Sequence, residues 1–199
     1  TNAHLLRGAV LAADAGFTSG EAARKLDRDA EHEFAAVIAL DSENAEAYYY
    51  RGLQRLRLGQ IAPAKLDFES AIEQTADEKK SLIGSRARYC LGKLLGEENT
   101  RPGKAYEYLL EAIEQMPNDL AHSAEGAEIL LLRAEMALTR RPPATTVASQ
   151  CIKHAIDAVA GCETIRASMI RERAARSQMR FYAITQPTSG ATHSQATAN

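Results

Sequence analysis

The stretch AKLDFESAIEQ, residues 64–74, contains a four-point pattern of packing residues. Alanine is followed four positions later by phenylalanine, and then, seven and eight positions after the first alanine, by alanine and isoleucine. Offsets of four and seven return to the same side of an α-helix, because one turn takes about 3.6 residues. The stretch is therefore predicted to be an amphipathic helix that packs a large side chain between two small ones.

The same pattern of small and large apolar residues occurs at four places along the chain. The copies begin at Ala30, Ala64, Ala105 and Ala148, and the second and third share the ending AIEQ. A repeated set of packing residues indicates an array of similar structural units, whereas a catalytic motif seldom needs a second copy. The repetition therefore predicts a fold built from similar units and does not by itself predict a catalytic activity.

A second helical stretch precedes each copy and carries a small residue near its middle. These small residues are Gly8, Gly52, Gly92 and Ala134. Glycine inside a helix costs about 1 kcal/mol relative to alanine, so its recurrence predicts a close helix crossing. Glycine and proline separate the two stretches at Gly59 and Pro63, at Pro102 and Gly103, and at Pro142 and Pro143. The organisation is helix–turn–helix four times, followed by one more helix.

Residues 45–74, AEAYYYRGLQRLRLGQIAPAKLDFESAIEQ, carry a resemblance to a known repeat. Tyr48 stands where the tetratricopeptide repeat (TPR) often has tryptophan, Gly52 at its glycine, and Ala64 and Phe68 at the family's distance. The stretch therefore resembles a TPR. The resemblance covers roughly residues 1–160.

The repeat spacing agrees with the family once and then departs from it. Ile38 and Ile72 are 34 residues apart, which is the TPR period, whereas the next two isoleucine spacings are 41 and 43 residues. Arg51 and Arg55 replace two usually apolar positions. The first unit carries an insertion at residues 16–29 before its motif.

The resemblance implies an all-α fold, an α-solenoid with a right-handed superhelix of about four TPR-like helix-turn-helix units. The units are predicted at residues 1–43, 44–78, 81–117 and 121–160, with a C-terminal capping helix at 163–184 and a disordered polar tail at 186–199. Terminal helices are expected in such arrays because the last unit would otherwise expose an apolar flank.

A concave groove is the partner site that the resemblance implies, because first helices of successive TPR units line such a face and hold a peptide or a partner helix. The corresponding residues are Leu5, Tyr49, Leu53, Leu56, Tyr89, Lys93, Leu131 and Glu135. Tyr49 and Tyr89 offer the amphipathic contact area that binding hot spots favour. Because Tyr48, Tyr49 and Tyr50 span nearly 300° of a helix, at least one of them is expected to be exposed.

One family activity is disfavoured by the residues present. Some TPR proteins grip the carboxylate end of chaperone tails with lysines and asparagines from their first helices. The asparagine positions correspond to Leu6, Tyr50 and Cys90, which have no amide donor.

Two charged regions provide the alternative surfaces. Acidic residues crowd positions 21–46 and are predicted to face solvent. The closing helix has a basic patch of five arginines against two glutamates, formed by Arg166, Arg171, Arg173, Arg176 and Arg180. The patch is predicted to be a solvated cap, with phosphate or an acidic partner as the other reading. Docking of the acidic first units onto the basic cap of another copy would give self-association that is sensitive to salt.

Composition and motifs indicate no cofactor and no metal. The formal net charge of −2 disfavours nucleic acid, no apolar run approaches the roughly 18 residues of a membrane span, and the three cysteines lack a C-x-x-C pair. His154 and Cys151 alone share helical ligand spacing, and two ligands do not make a metal site. Nucleotide-binding, zinc-protease and serine-hydrolase motifs do not occur. A cytoplasmic location is expected.

The predicted function is a non-catalytic protein–protein interaction scaffold or adaptor, not an enzyme. The first residue is threonine rather than methionine, which suggests a processed, excised or incomplete chain. The alternatives are therefore the TPR regulatory region of a larger signalling enzyme, such as a serine/threonine kinase or a transferase, and a self-associating structural module.

Overall fold

A computed structural model of the chain describes residues 1–98 and 101–186. Every regular element within these ranges is helical, which confirms the predicted all-α class. The ten helices of the described residues are α1 Asn2–Phe17, α2 Gly20–Leu40, α3 Ala45–Arg57, α4 Ile61–Glu73, α5 Leu82–Glu98, α6 Pro102–Glu114, α7 Asn118–Ala121, α8 Ala124–Thr139, α9 Thr145–Ala158 and α10 Ile165–Thr185. None of them has the combination of length and hydropathy that crossing a bilayer requires.

The helices pack as adjacent pairs within two compact units. The N-terminal unit, Thr1–Ala121, contains the pairs α1/α2, α3/α4 and α5/α6, and successive pairs meet through α2 with α3 and through α4 with α5. The C-terminal unit, His122–Asn199, contains the pair α8/α9, against both of which α10 packs. Each pair consists of a first helix and a second helix that carries the four-point pattern.

The first three points of the pattern form the buried stripe of each second helix. These residues are Ala30, Phe34 and Val37 in α2, Ala64, Phe68 and Ala71 in α4, Ala105, Leu109 and Ala112 in α6, and Ala148, Ile152 and Ala155 in α9. The isoleucines at the fourth point lie at the edge of the buried face, half-buried at Ile38, Ile72 and Ile113 and exposed at Ile156.

Glycines let the two helices of a pair approach closely in the N-terminal unit. The contacts join Gly8 to Phe34, Gly52 to Phe68 and Gly92 to Leu109. In each, a Cβ atom added to the glycine would lie 2.8 Å from a carbon of the facing side chain. The prediction that these glycines mark close helix crossings is confirmed.

The predicted insertion of the first unit is part of a helix. Because α2 begins at Gly20, most of residues 16–29 extend it at its N-terminus, and α2 has 21 residues where α4 and α6 have 13. The extension is packed, since Asp27 within it is only 6% exposed. The short helix α7 is an element that the repeat pattern does not predict.

The predicted capping helix, residues 163–184, corresponds to α10, Ile165–Thr185. Its buried residues include Ala167, Ile170 and Ala174. Of the tail predicted at 186–199, Gln186 is the C-cap residue of α10, and residues 187–199 lie outside the described residues.

Candidate partner-binding surface

The first helices of the N-terminal unit lie next to one another, because α3 contacts both α1 and α5. Six predicted groove residues lie on them. Tyr49 on α3 is one of the six and is described separately below; we call the other five the first-helix surface: Leu5 on α1, Leu53 and Leu56 on α3, and Tyr89 and Lys93 on α5. Lys93 is exposed and the other four are half-buried. Leu5 and Tyr89 each stand three residues before the glycine that faces the second helix, so both occupy the same side of their helices.

Two leucines of this surface, Leu53 and Leu56, are held by the protein core. Leu53 and Leu56 pack against a buried cluster in α3, α4 and α5 whose members include Phe68 and Leu91. A half-buried side chain fixed in this way keeps one apolar side accessible while its rotamer is already restricted.

Tyr49 is a member of the core cluster, with only 8% of its surface exposed. Its ring centroid lies 6.1 Å from that of Phe68 and 5.3 Å from that of Tyr50. The neighbouring tyrosines are half-buried and pack against the edge of the same cluster: Tyr50 also stacks on Phe34 at 5.5 Å, and the guanidinium carbon of Arg51 lies 5.5 Å from the Tyr48 ring centroid. The Tyr49 ring therefore contributes packing area to the core.

The two groove residues predicted in the C-terminal unit are both engaged within that unit. Leu131 is fully buried in α8. The Glu135 carboxylate accepts two hydrogen bonds from Arg173 of α10, at 2.7 Å from Nε and 2.6 Å from Nη2. Half-buried Glu135 is thus a docking point for α10.

Arg51 and Arg55, which depart from the TPR pattern, converge on one buried carboxylate. Asp67, whose side chain is 3% exposed, accepts from Arg51 Nη2 at 2.6 Å and from Arg55 Nη1 at 3.0 Å. Arg55 also donates from Nε to Glu31 of the preceding pair at 2.9 Å. The network joins α2, α3 and α4. It gives the buried Asp67 carboxylate the charged hydrogen-bonding partners that such a group needs.

The same pairing recurs by register in the first helix pair. Arg7 and Arg51 each precede the packing glycine, whereas Glu33 and Asp67 each precede the packing phenylalanine. Arg7 Nη1 lies 3.0 Å from Glu33, and His4 Nδ1 lies 2.6 Å from the same carboxylate. Hydrogen bonds first from His4 and then from Arg7 lower the pKa of Glu33 below its ordinary value of 4.5.

The acidic stretch of α2 is less open to solvent than predicted. Asp27 is buried and lies 3.3 Å from Arg57, and Glu31 and Glu33 are half-buried with the arginine partners described above. Glu21, which is exposed, pairs with Arg28 at 2.7 Å, and this hydrogen bond lowers its pKa. The prediction of a solvated acidic face is wrong for the three less exposed carboxylates, because arginines on α1 and α3 lie opposite them.

The predicted basic patch on α10 is largely committed to contacts inside its own unit. Arg166 forms a bidentate pair with Glu128, at 2.9 and 3.0 Å, in the same register as Arg173 with Glu135. Arg171 donates to the backbone carbonyls of Val159 and Cys162. The patch is completed by Arg176, which pairs with Glu172, and by Arg180, which is exposed. Most of these arginines attach α10 or pair along it.

Sequence reasoning did not predict a groove between α9 and α10. It has a volume of about 290 Å³, and its apolar lining comes from Ile152, Ile156, Phe181 and Tyr182. The adjacent aromatic residues, whose rings lie 5.6 Å apart, are the signal that could have indicated it.

The pair considered for metal binding is not assembled as a site. His154 is exposed and Cys151 is buried, and no cluster of three metal-ligating side chains occurs in the described part of the chain. Burial raises the pKa of the Cys151 thiol, and Arg133 offsets part of this increase. A buried thiol with a raised pKa is a weak nucleophile.

Comparison of the chain with models of known protein families, with curated proteins and with solved structures finds no match.

Proposed function

We propose that the protein is a TPR-like interaction module that binds a peptide or a partner helix along the first-helix surface and catalyses no reaction itself. The observation that supports this most is the adjacency of α1, α3 and α5, each of which contributes apolar side chains to the surface. Close crossings at Gly8, Gly52 and Gly92 fix each first helix on its second helix. The proposed site therefore rests on rigid elements.

The side chains of the first-helix surface are suited to binding a ligand. Leu53 and Leu56 are already held by the core, so a ligand would immobilise few additional rotamers. Tyr89 supplies amphipathic contact area, and exposed Lys93 supplies a positive charge beside it. We expect a ligand with apolar side chains at helical or alternating spacing and an acidic group near the position of Lys93.

Peptide selection tests this function directly, because the protein itself chooses its ligand from a mixture. Peptides from a random display library are selected on the full chain, and their affinities are measured for wild type, Leu53→Ala, Tyr89→Ala and the control Leu66→Ala. Leu66 lies on the second helix α4 and is 63% exposed, so its truncation leaves the first helices intact. Circular dichroism confirms that every variant remains helical.

We expect Leu53→Ala and Tyr89→Ala each to weaken binding about tenfold or more, as truncation of a binding hot spot does. Leu66→Ala is expected to have little effect. Equal affinities for wild type and both first-helix variants, or a selection that enriches no peptide, would contradict the proposal.

A further inference from the structure

The first helix carries an apolar stripe on the side opposite its buried residues Gly8 and Ala15. The stripe, called the α1 stripe, consists of Ala3, Leu6, Val10, Ala13 and Phe17, at spacings that alternate between three and four residues. All five are exposed, with Leu6 at 68%, Val10 at 59% and Phe17 at 92%. Exposed apolar side chains in one contiguous row mark an interaction surface.

The same register in α3 is an interface with the preceding helix pair. Counted from the packing glycine, Ala3, Leu6 and Val10 correspond to Ala47, Tyr50 and Gln54. Ala47 and Gln54 are buried, and the Tyr50 ring stacks on Phe34 of α2. The α1 stripe thus occupies a position that, in α3, is covered by a neighbouring helix.

We propose that a second copy of this chain covers the stripe, with the α1 helices of two copies packed antiparallel about a twofold axis at Val10. Alternating spacings of three and four residues are those of a coiled-coil seam, in which two helices pack along their apolar rows. Twofold dimers are the commonest oligomers, and their interface uses the same patch on both copies. This self-association goes beyond the binding function proposed above.

Side-chain sizes along the stripe fit the antiparallel arrangement. With Val10 opposite its own copy, Ala3 lies opposite Phe17 of the second copy, and Leu6 lies within one residue of Ala13 of the second copy along the helix axis. Leu6 and Phe17 therefore each meet an alanine, and packed layers interdigitate in this way. A parallel pair would place Phe17 against Phe17 and Ala3 against Ala3.

Charges beside the stripe favour the same arrangement. In the antiparallel pair Arg7 lies within one residue of Asp14 of the second copy along the helix axis, on the same flank of the stripe, and the symmetry repeats this pairing. Both residues are exposed on α1, and the Arg7 side chain is 68% exposed although it also donates to Glu33. A parallel pair would instead set Arg7 against Arg7 and Asp14 against Asp14.

The other mode of self-association, in which the acidic first units dock on the basic cap, has weaker support. Glu31 and Glu33 on α2 already pair with Arg55 and Arg7, and Arg173 on α10 pairs with Glu135. Docking by charge alone would need to replace these contacts, whereas packing of the apolar side chains of the α1 stripe breaks no hydrogen bond or ion pair.

Molar mass in solution tests the proposal. Light scattering and sedimentation equilibrium of the full chain across a concentration series are expected to show twice the monomer mass at the upper end. Val10→Glu places two glutamates at the axis and is expected to abolish the dimer. Leu66→Glu, at a comparably exposed leucine of α4, is the matched control and is expected to leave the dimer unchanged.

Disulfide crosslinking tests the register. In a Cys162→Ser background, which removes the exposed native thiol, Val10→Cys is expected to form a dimer on oxidation. Ala3→Cys is expected not to do so. Position 3 lies seven residues from the axis in each copy, so the two cysteines are too far apart to form a disulfide. A monomer at every concentration, or a dimer that persists in Val10→Glu, would overturn the proposal. Crosslinking at position 3 would overturn the antiparallel arrangement.

Discussion

Gly52 lies against the ring of Phe68 so closely that a Cβ atom added to Gly52 would approach Cε1 to 2.8 Å. The two residues belong to α3 and α4, the helices of one pair. The Gly8–Phe34 contact has the same separation, so this close packing of a glycine on a phenylalanine ring recurs in two helix pairs. It explains why a residue unfavourable to helices stands in the middle of helix after helix.

Gly52→Ala is therefore expected to destabilise the protein by about 1–3 kcal/mol, through overpacking against the Phe68 ring. This loss would occur although alanine favours a helix by about 1 kcal/mol. Gly103→Ala in α6, where nothing lies within 4 Å of the added Cβ, is the control and is expected to be neutral or stabilising. Denaturant unfolding monitored by circular dichroism measures both, and equal effects would contradict the packing role of Gly52.

Asp67→Asn is expected to be strongly destabilising, by about 3–5 kcal/mol, because it leaves Arg51 and Arg55 without their shared carboxylate. Glu172→Gln removes an exposed pair with Arg176 and is expected to cost about 0.5 kcal/mol or less. The comparison uses the same unfolding measurement. A loss at Asp67 no larger than that at Glu172 would show that the network is dispensable.

The repeating pattern predicts the helices and their packed faces, because both depend on local periodicity. It predicts less well which neighbour a side chain meets. The position of Tyr49 beside the stripe predicts a place in the groove, yet its ring packs on Phe68, since α3 is flanked on more than one side. A helical period gives the direction of a side chain and does not give the distance to the next helix.

The charged residues of α3 show the same limit of prediction from the sequence. The arginines of α3 are visible in the sequence, but their partners Glu31 and Asp67 are 24 and 12 residues from Arg55. Whether two such residues meet depends on how helices are aligned within a pair and between neighbouring pairs. The acidic residues of α2 consequently look solvated in the sequence although several are paired in the structure.

Stability is expected to decrease in acid partly through Glu33. His4 and Arg7 hold the folded-state pKa of Glu33 below 4.5, so its stabilising contribution is present above that value and is lost as the pH falls through the folded-state pKa. Glu33→Gln removes this contribution. The difference in unfolding free energy between wild type and Glu33→Gln should therefore shrink as the solution is acidified below about pH 4.5. A difference that stays constant would contradict the role of the pairing.

The cysteines are expected to react with a thiol reagent at very different rates. Cys162 is exposed, whereas Cys151 is buried and burial raises its pKa, which reduces the fraction of reactive thiolate. Mass spectrometry of the labelled protein should show modification of Cys162 well before Cys151, with the difference lost in denaturant. Equal rates in the native protein would contradict the burial of Cys151.

Site-specific photocrosslinking tests the proposed binding surface most directly. A photoreactive amino acid is placed at Leu53, Tyr89 or Leu66, the chain is mixed with a peptide selected on wild type, and the crosslinked products are identified by mass spectrometry. We predict efficient crosslinks from positions 53 and 89 and few from position 66. Crosslinks that form mainly from position 66, on the second helix α4, would contradict binding along the first-helix surface.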